Sequence, residues 1–271
     1  MCWRCCPLRP LRRYELICAK ALGASVARRM SIWEYANPKR FMQTSGFVLP
    51  WVAALAGVAL TVGLTWGFFF TPDADRFGST VKIIYLHVPA ATMATSAWMM
   101  MLVTSLTWLI RRHHVSVLAA KAAAPVGLTF TLIGLVTGAI WGQPMWGTWW
   151  AWDPRLTAFL ILTLFYLGYI ALWRAIEDAD TAADLTSVLC IVGSVFAVLS
   201  RYAVLFWNQG LHQGASLSLD KKENVSDVYW QPLVICIAGF ALLFVALVLA
   251  RTRTEIRARR LAALLARERA V

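Results

Sequence analysis

The chain reads as an all-α integral membrane protein with six transmembrane helices, and three observations carry that reading. Of its 271 residues, 59 % are hydrophobic and only 15 % are charged, against about 25 % charged in an ordinary soluble domain. The apolar residues gather into six runs, each long enough to cross most or all of about 30 Å of hydrocarbon at about 1.5 Å per residue. The charges lie mostly outside those runs: nine Lys/Arg precede residue 46, and seven more fall between Arg251 and Arg269.

In chain order the runs are Phe47–Phe70, Ile83–Ile110, Ala122–Trp141, Leu156–Trp173, Leu185–Trp207 and Pro232–Ala250. Trp66, Tyr85, Trp108, Trp173 and Trp207 mark their ends, where amphipathic rings favour the headgroup level. Orientation follows from the basic residues. With both termini in the cytoplasm, twenty Lys/Arg fall inside and five fall outside, namely Arg76, Lys82, Arg155, Lys221 and Lys222. Arg201 lies within the fifth run. That asymmetry sets the N- and C-termini inside. The +12 net charge is accounted for by topology and contact with membrane lipid, and it does not call for nucleic acid.

Residues 1–30 form a basic extension that lacks the apolar core of a cleaved secretion signal. Met30-Ser31 is a plausible second start. Residues 31–250 are the six-helix membrane domain, and 251–271 form a basic cytoplasmic tail. Four of the six cysteines (Cys2, Cys5, Cys6, Cys18) fall in the extension, and Cys190 and Cys236 lie in apolar runs. Cys2-Trp3-Arg4-Cys5 has no second pair or adjacent histidine. It therefore reads neither as a zinc site nor as a covalent haem attachment motif.

Three polar features meet at the outer face. Between runs three and four the sequence reads WGTWWAWDPRLT, and five of the fourteen tryptophans lie between Trp141 and Trp152. One or two indoles would anchor a helix at the interface. Trp146, Trp149, Trp150 and Trp152 together could instead form a broad, flat apolar shelf for a large planar aromatic ligand. Asp153, Pro154 and Arg155 add a rigid turn with one acid and one base. The second feature, YLHVPAA, carries His87 at the outer end of run two. The third, WNQGLHQ, carries His212 after run five. Alone, each histidine reads as a hydrogen-bonded structural residue. Together, beside the indoles and on the same level, they read as two imidazole ligands for a haem iron. Arg201, about 9 Å below the outer surface by helix rise, reads either as a salt-bridge partner or as a counter-ion for a propionate or for Asp153. Arg155 and Arg76 are alternative propionate partners. His113 and His114 follow Arg111-Arg112 on the inner side and read as solvated loop residues. The chain has no P-loop, no nucleophile–base arrangement on the outer loops and no carboxylate pair within a run. It therefore reads as a non-enzymatic protein with no ATPase motif of its own.

These pieces together resemble the haem exporter protein C (CcmC) family of the cytochrome c maturation system. The WGTWWAWDPRLT segment resembles the tryptophan-rich "WWD" signature of haem-handling membrane proteins. YLHVPAA and LHQGAS resemble the family's flanking histidine motifs, and the likeness spans about Ser31 to Arg251. Phe206 stands where the family has a tryptophan, and one additional residue precedes Leu211. The resemblance implies a multi-pass protein of the bacterial inner membrane. Such a protein holds non-covalent, b-type haem transiently at the periplasmic face, between His87 and His212, with the tryptophan segment as platform. It implies delivery of haem to a membrane-tethered periplasmic chaperone (CcmE), beside ABC-transporter subunits CcmA and CcmB and a small membrane subunit, CcmD. The residues alone leave three other readings open: a cytochrome b-like electron-transfer subunit, a solute transporter gated by the tryptophan segment, and a haem-independent assembly scaffold.

Overall fold

Six long helices follow one another in the order the apolar runs predict. The computed structural model describes residues 37–75, 78–206 and 225–269. The helices are α1 (Pro38–Thr65), α2 (Ile84–Arg111), α3 (His114–Trp146), α4 (Pro154–Ala175), α5 (Ala179–Phe206) and α6 (Asp227–Arg269). Each is long and apolar enough to cross a membrane. Among the described residues the only β-type pairing is the isolated bridge between Ala74 and Gly78.

The helix ends explain where the sequence places them. α1 begins at Asn37, whose side chain accepts the Lys39 N–H at 3.0 Å, with Pro38 in the first turn. Proline is tolerated there because its missing N–H would have no partner in any case. The chain leaves α1 through a π-helical turn, Trp66–Phe70, and enters α2 through a short 3₁₀ turn, Ser79–Ile83. Lys82 and Asp73 pair at 3.0 Å across this connection.

Several expected boundaries move: α1, α5 and α6 begin nine, six and five residues earlier than their apolar runs, and two inner-side changes alter side-chain roles. The inner loop expected before Ala122 shrinks to Arg112 and His113. Arg112 ends α2 in the left-handed region (φ 50°), and His113 caps α3, its Nδ1 accepting the Ser116 N–H at 3.0 Å. The histidine pair is thus not simply solvated. The His114 ring lies 5.2 Å from that of Trp108, and its Nδ1 is 3.3 Å from Arg259 Nη1. Lys121, one residue before the third apolar run, sits inside α3. It pairs with Glu255 at 2.8 Å and lies 4.9 Å from the Trp173 ring. The basic stretch expected as a separate tail is helical too, because α6 runs unbroken to Arg269.

α2 is the central helix, packed against α3, α5 and α6; α4 lies against α3 and α5, and α1 against α6. At the centre, Trp98 of α2 is fully buried. Its Nε1 donates to Cys190 O and Ser194 Oγ, each at 3.2 Å. Its ring meets Tyr166 edge to face at 4.6 Å, and the Tyr166 hydroxyl donates to Ala94 O at 2.7 Å. Three helices are therefore tied by two aromatic residues whose polar tips have partners, as burial in an apolar bundle requires. Small residues on α3 (Ala120, Ala123, Ala124) let the neighbouring backbones approach. The outer face of α1 presents Phe47, Trp51, Leu55 and Val58, a surface matched to lipid.

Packing, more than hydrogen bonding, should hold this centre. Tyr166→Phe removes one interhelical hydrogen bond and should cost about 0.6–1.5 kcal/mol. Trp98→Ala empties the junction and should cost about 3–5 kcal/mol. Denaturation of the detergent-purified variants measures both, and equal losses would contradict this ranking.

Candidate functional site

The tryptophan segment is a short loop clamped at both ends. Gly147 closes α3 with φ 75°, its N–H donating to Gln143 O at 3.0 Å. That left-handed conformation is one glycine adopts without steric cost. Thr148 Oγ1 donates to Trp150 O at 2.9 Å and tightens the turn. Asp153 then caps α4: its Oδ1 accepts the Leu156 N–H at 2.8 Å, and Pro154 follows in the first turn. Asp153 is buried, at 5 % exposure. A carboxylate at a helix N-terminus satisfies an otherwise orphaned N–H and faces the positive end of the helix dipole.

The indoles do not form one flat shelf. Trp150 and Trp152 stand edge to face, at 80° with centroids 5.7 Å apart. Trp146, the last residue of α3, lies back against Gly142. Trp149 and Trp152 are exposed, at 63 % and 78 %, whereas Trp150 is turned inward. Its Nε1 is buried and has no hydrogen-bond partner among the described residues. The platform is thus a stepped aromatic corner with two outward rings and one inward N–H. Quadrupole electrostatics favour this edge-to-face step over parallel sandwiching. Beside it a cavity of about 530 Å³ is lined by Trp152, Asp153, Thr157, Ile161, Phe196 and Leu199, between the start of α4 and the end of α5.

Three charges meet at the same end. Arg155, on the first turn of α4, has Arg201 and Asp153 as its electrostatic neighbours. Its Nε is buried without a hydrogen-bond partner among the described residues. The nearness of Arg155 to Arg201 could not be read from their spacing of 46 residues.

His87 lies in the first turn of α2, half-buried against α3. Its Nδ1 is 3.0 Å from Thr137 Oγ1, and a Cβ at Gly138 would come within 3.1 Å of its Cε1. It is not on the level of the indoles. Gly138 precedes Trp146 by eight residues, about 12 Å of helix rise. The second expected ligand, His212, lies outside the described residues, as does Arg76. Thr137 and Gly138 drew no attention in the sequence, where they are two small residues in an apolar run.

These helices and this site define a class: a polytopic α-helical membrane protein whose polar and aromatic groups gather at one end of the bundle. The chain belongs to the family described as Heme exporter protein C, which it matches over residues 31–267. It is 75 % identical over 240 residues to Heme exporter protein C of Rhodobacter capsulatus, covering 89 % of this chain and 99 % of that one. It is 72 % identical over 239 residues to that of Paracoccus denitrificans, covering 88 % and 99 %. With that of Escherichia coli the identity is 41 % over 226 residues, covering 83 % and 91 %.

If Asp153 acts on the loop as a cap, an amide oxygen should replace it. Asp153→Asn should stay close to wild type in thermal unfolding in detergent, while Asp153→Ala should lose about 0.5–2 kcal/mol. An Asn variant as unstable as the Ala variant would assign the effect to the charge beside Arg155 instead.

Proposed function

We propose that the protein binds haem at the outer, periplasmic face of the bacterial inner membrane and passes it on during maturation of c-type cytochromes. The observation that carries this reading is the pairing of two orphaned donors with apolar rings. Among the described residues, Arg155 Nε and Trp150 Nε1 are buried without hydrogen-bond partners, within six residues of chain of the outward indoles of Trp149 and Trp152. Buried donors left unpaired carry a desolvation penalty of about 1–3 kcal/mol each. A cargo that is flat, apolar and anionic at its edge relieves it, and haem, with its two propionates, has that chemistry. Family membership and the names of the relatives support the same cargo.

In this reading His87 and His212 are the axial ligands of the iron. Trp146, Trp149, Trp150 and Trp152 shelter the porphyrin, and Arg155 pairs with a propionate. Asp153 serves the site through the loop it caps. The haem is held non-covalently, as b-type, and transiently. No bond of the cargo is made or broken, so the protein's work is ligand exchange and not catalysis. Exposed Trp149 and Trp152 leave one porphyrin edge within reach of an acceptor, the membrane-tethered chaperone CcmE. The remaining partners are the ABC-transporter subunits CcmA and CcmB, which supply ATP hydrolysis, and the small subunit CcmD. The basic tail and the N-terminus then lie in the cytoplasm.

The test is an absorption spectrum of protein purified from haem-replete cells. Wild type should copurify with low-spin, bis-histidine haem. His87→Ala and His212→Ala should lose or shift that spectrum, and a His113/His114 double replacement should leave it unchanged. Arg155→Ala removes a charged hydrogen bond of about 1.5–3 kcal/mol and should weaken haem retention about tenfold or more. Haem-free wild type, or a spectrum indifferent to both outer histidines, would overturn the assignment.

A further inference from the structure

The contact of His87 with α3 bears on which of its ring nitrogens carries the hydrogen. Thr137 Oγ1 lies 2.6 Å from Ile133 O and 3.3 Å from Gly134 O. A hydroxyl has one proton, and in a helix a threonine directs it back to the carbonyl one turn earlier. The 2.6 Å contact marks that use. The oxygen can then meet His87 Nδ1, 3.0 Å away, only through a lone pair. Nδ1 must carry the hydrogen and donate it, which makes Nε2 the lone-pair nitrogen of the neutral ring. One residue further along, Gly138 admits the ring edge, since a Cβ there would press to 3.1 Å from Cε1.

We infer that Thr137 and Gly138 form a positioning seat that holds His87 as its Nδ1–H tautomer and presents Nε2 as the metal-binding nitrogen. This rests on the reading of His87 as an iron ligand and adds the device that orients it. Histidines that bind metals commonly donate their other N–H to an oxygen, which fixes the tautomer and ring plane and raises the basicity of the ligating nitrogen. Here the acceptor is a hydroxyl whose own proton is committed to the backbone of its helix. The direction of donation therefore does not depend on a neighbouring charge.

Two readouts test the seat. The first is ¹⁵N NMR of histidine-labelled, haem-free protein in detergent, with His87→Ala identifying the His87 resonances among the four histidines. His87 should be the Nδ1–H tautomer in wild type and in Thr137→Ser, which keeps the hydroxyl. Thr137→Val, of the same shape but without the acceptor, should move it toward the Nε2–H form. The second is hemin titration followed in the Soret band. Thr137→Val should bind about tenfold more weakly and Thr137→Ser should stay near wild type. Gly138→Ala should shift the spectrum by displacing the ring while keeping the tautomer.

An Nε2–H tautomer in the wild type would overturn the seat. So would a Thr137→Val variant that matches wild type in both readouts while His87→Ala loses the haem. If His87→Ala keeps the wild-type spectrum, the ligand reading itself falls, and the metal-binding part of the inference falls with it. The tautomer measured without haem then decides by itself whether Thr137 orients the ring.

Discussion

Hydrocarbon offers no water to a peptide group, so every backbone N–H and C=O within the bilayer must find its partner inside the protein. That constraint arranges the rest of the molecule. It makes each crossing a continuous helix and pushes irregular backbone to the helix ends. The tryptophan loop illustrates it. Its seven residues, 147–153, are the whole non-helical connection between α3 and α4, and each end is closed by a cap, from Gly147 on one side and Asp153 on the other. Thr148 closes the turn between them. A loop so bounded can display large apolar rings outward without unravelling the helices beneath it.

The same constraint governs the polar tips of the core. Trp98 and Tyr166 are large enough to join α2, α4 and α5, but each brings a donor that must be spent. Both are spent on carbonyl or hydroxyl oxygens of a neighbouring helix. The register of α2 against α5 and α4 is thereby set near mid-helix, and α2 against α3 is set again by the contact of His87 with Thr137. Rotating α2 by one residue, about 100°, would break all of these at once. The position of His87 is thus a consequence of the packed centre and not of a flexible loop. That is how an orienting residue such as Thr137 can hold an imidazole in one plane.

The helices were largely legible in the sequence because lipid imposes a length and a composition on each. The errors came where side chains settle matters that composition cannot. Lys121 falls outside the third apolar run because its partner, Glu255, lies 134 residues away, and α3 extends past that run by eight residues at its start and five at its end. The tryptophan segment and Arg155 stood out by residue type alone. Their geometry did not, since the step between Trp150 and Trp152 depends on which ring turns inward. Thr137 and Gly138 were invisible for a related reason: what distinguishes them is the facing helix. The contact between α2 and α3 leaves no periodic trace, whereas a threonine in an apolar run is ordinarily a back-bonded residue with no further role.

The charges at the tryptophan end suit the proposed function, in which a site takes hold of a cargo and then gives it up. Arg155 and Arg201 repel one another, and Asp153, the acid that acts on Arg155, also serves as the cap of α4. Under the proposed function, the guanidinium groups of Arg155 and Arg201 would draw the anionic edge of the cargo to this end of the bundle. A site built for permanent retention would close over its ligand. Here two indoles remain mostly exposed, and the cavity beside them lies between the ends of α4 and α5. In that reading attraction comes from charge and aromatic contact at the rim, and orientation comes from the His87 ring of α2, seated against α3 about 12 Å deeper by helix rise. Under the proposed function, separating the two along the helix axis would let an acceptor compete for the cargo at the rim while His87 keeps its place. Such an exchange would leave the helix packing around His87 and the capped tryptophan loop intact.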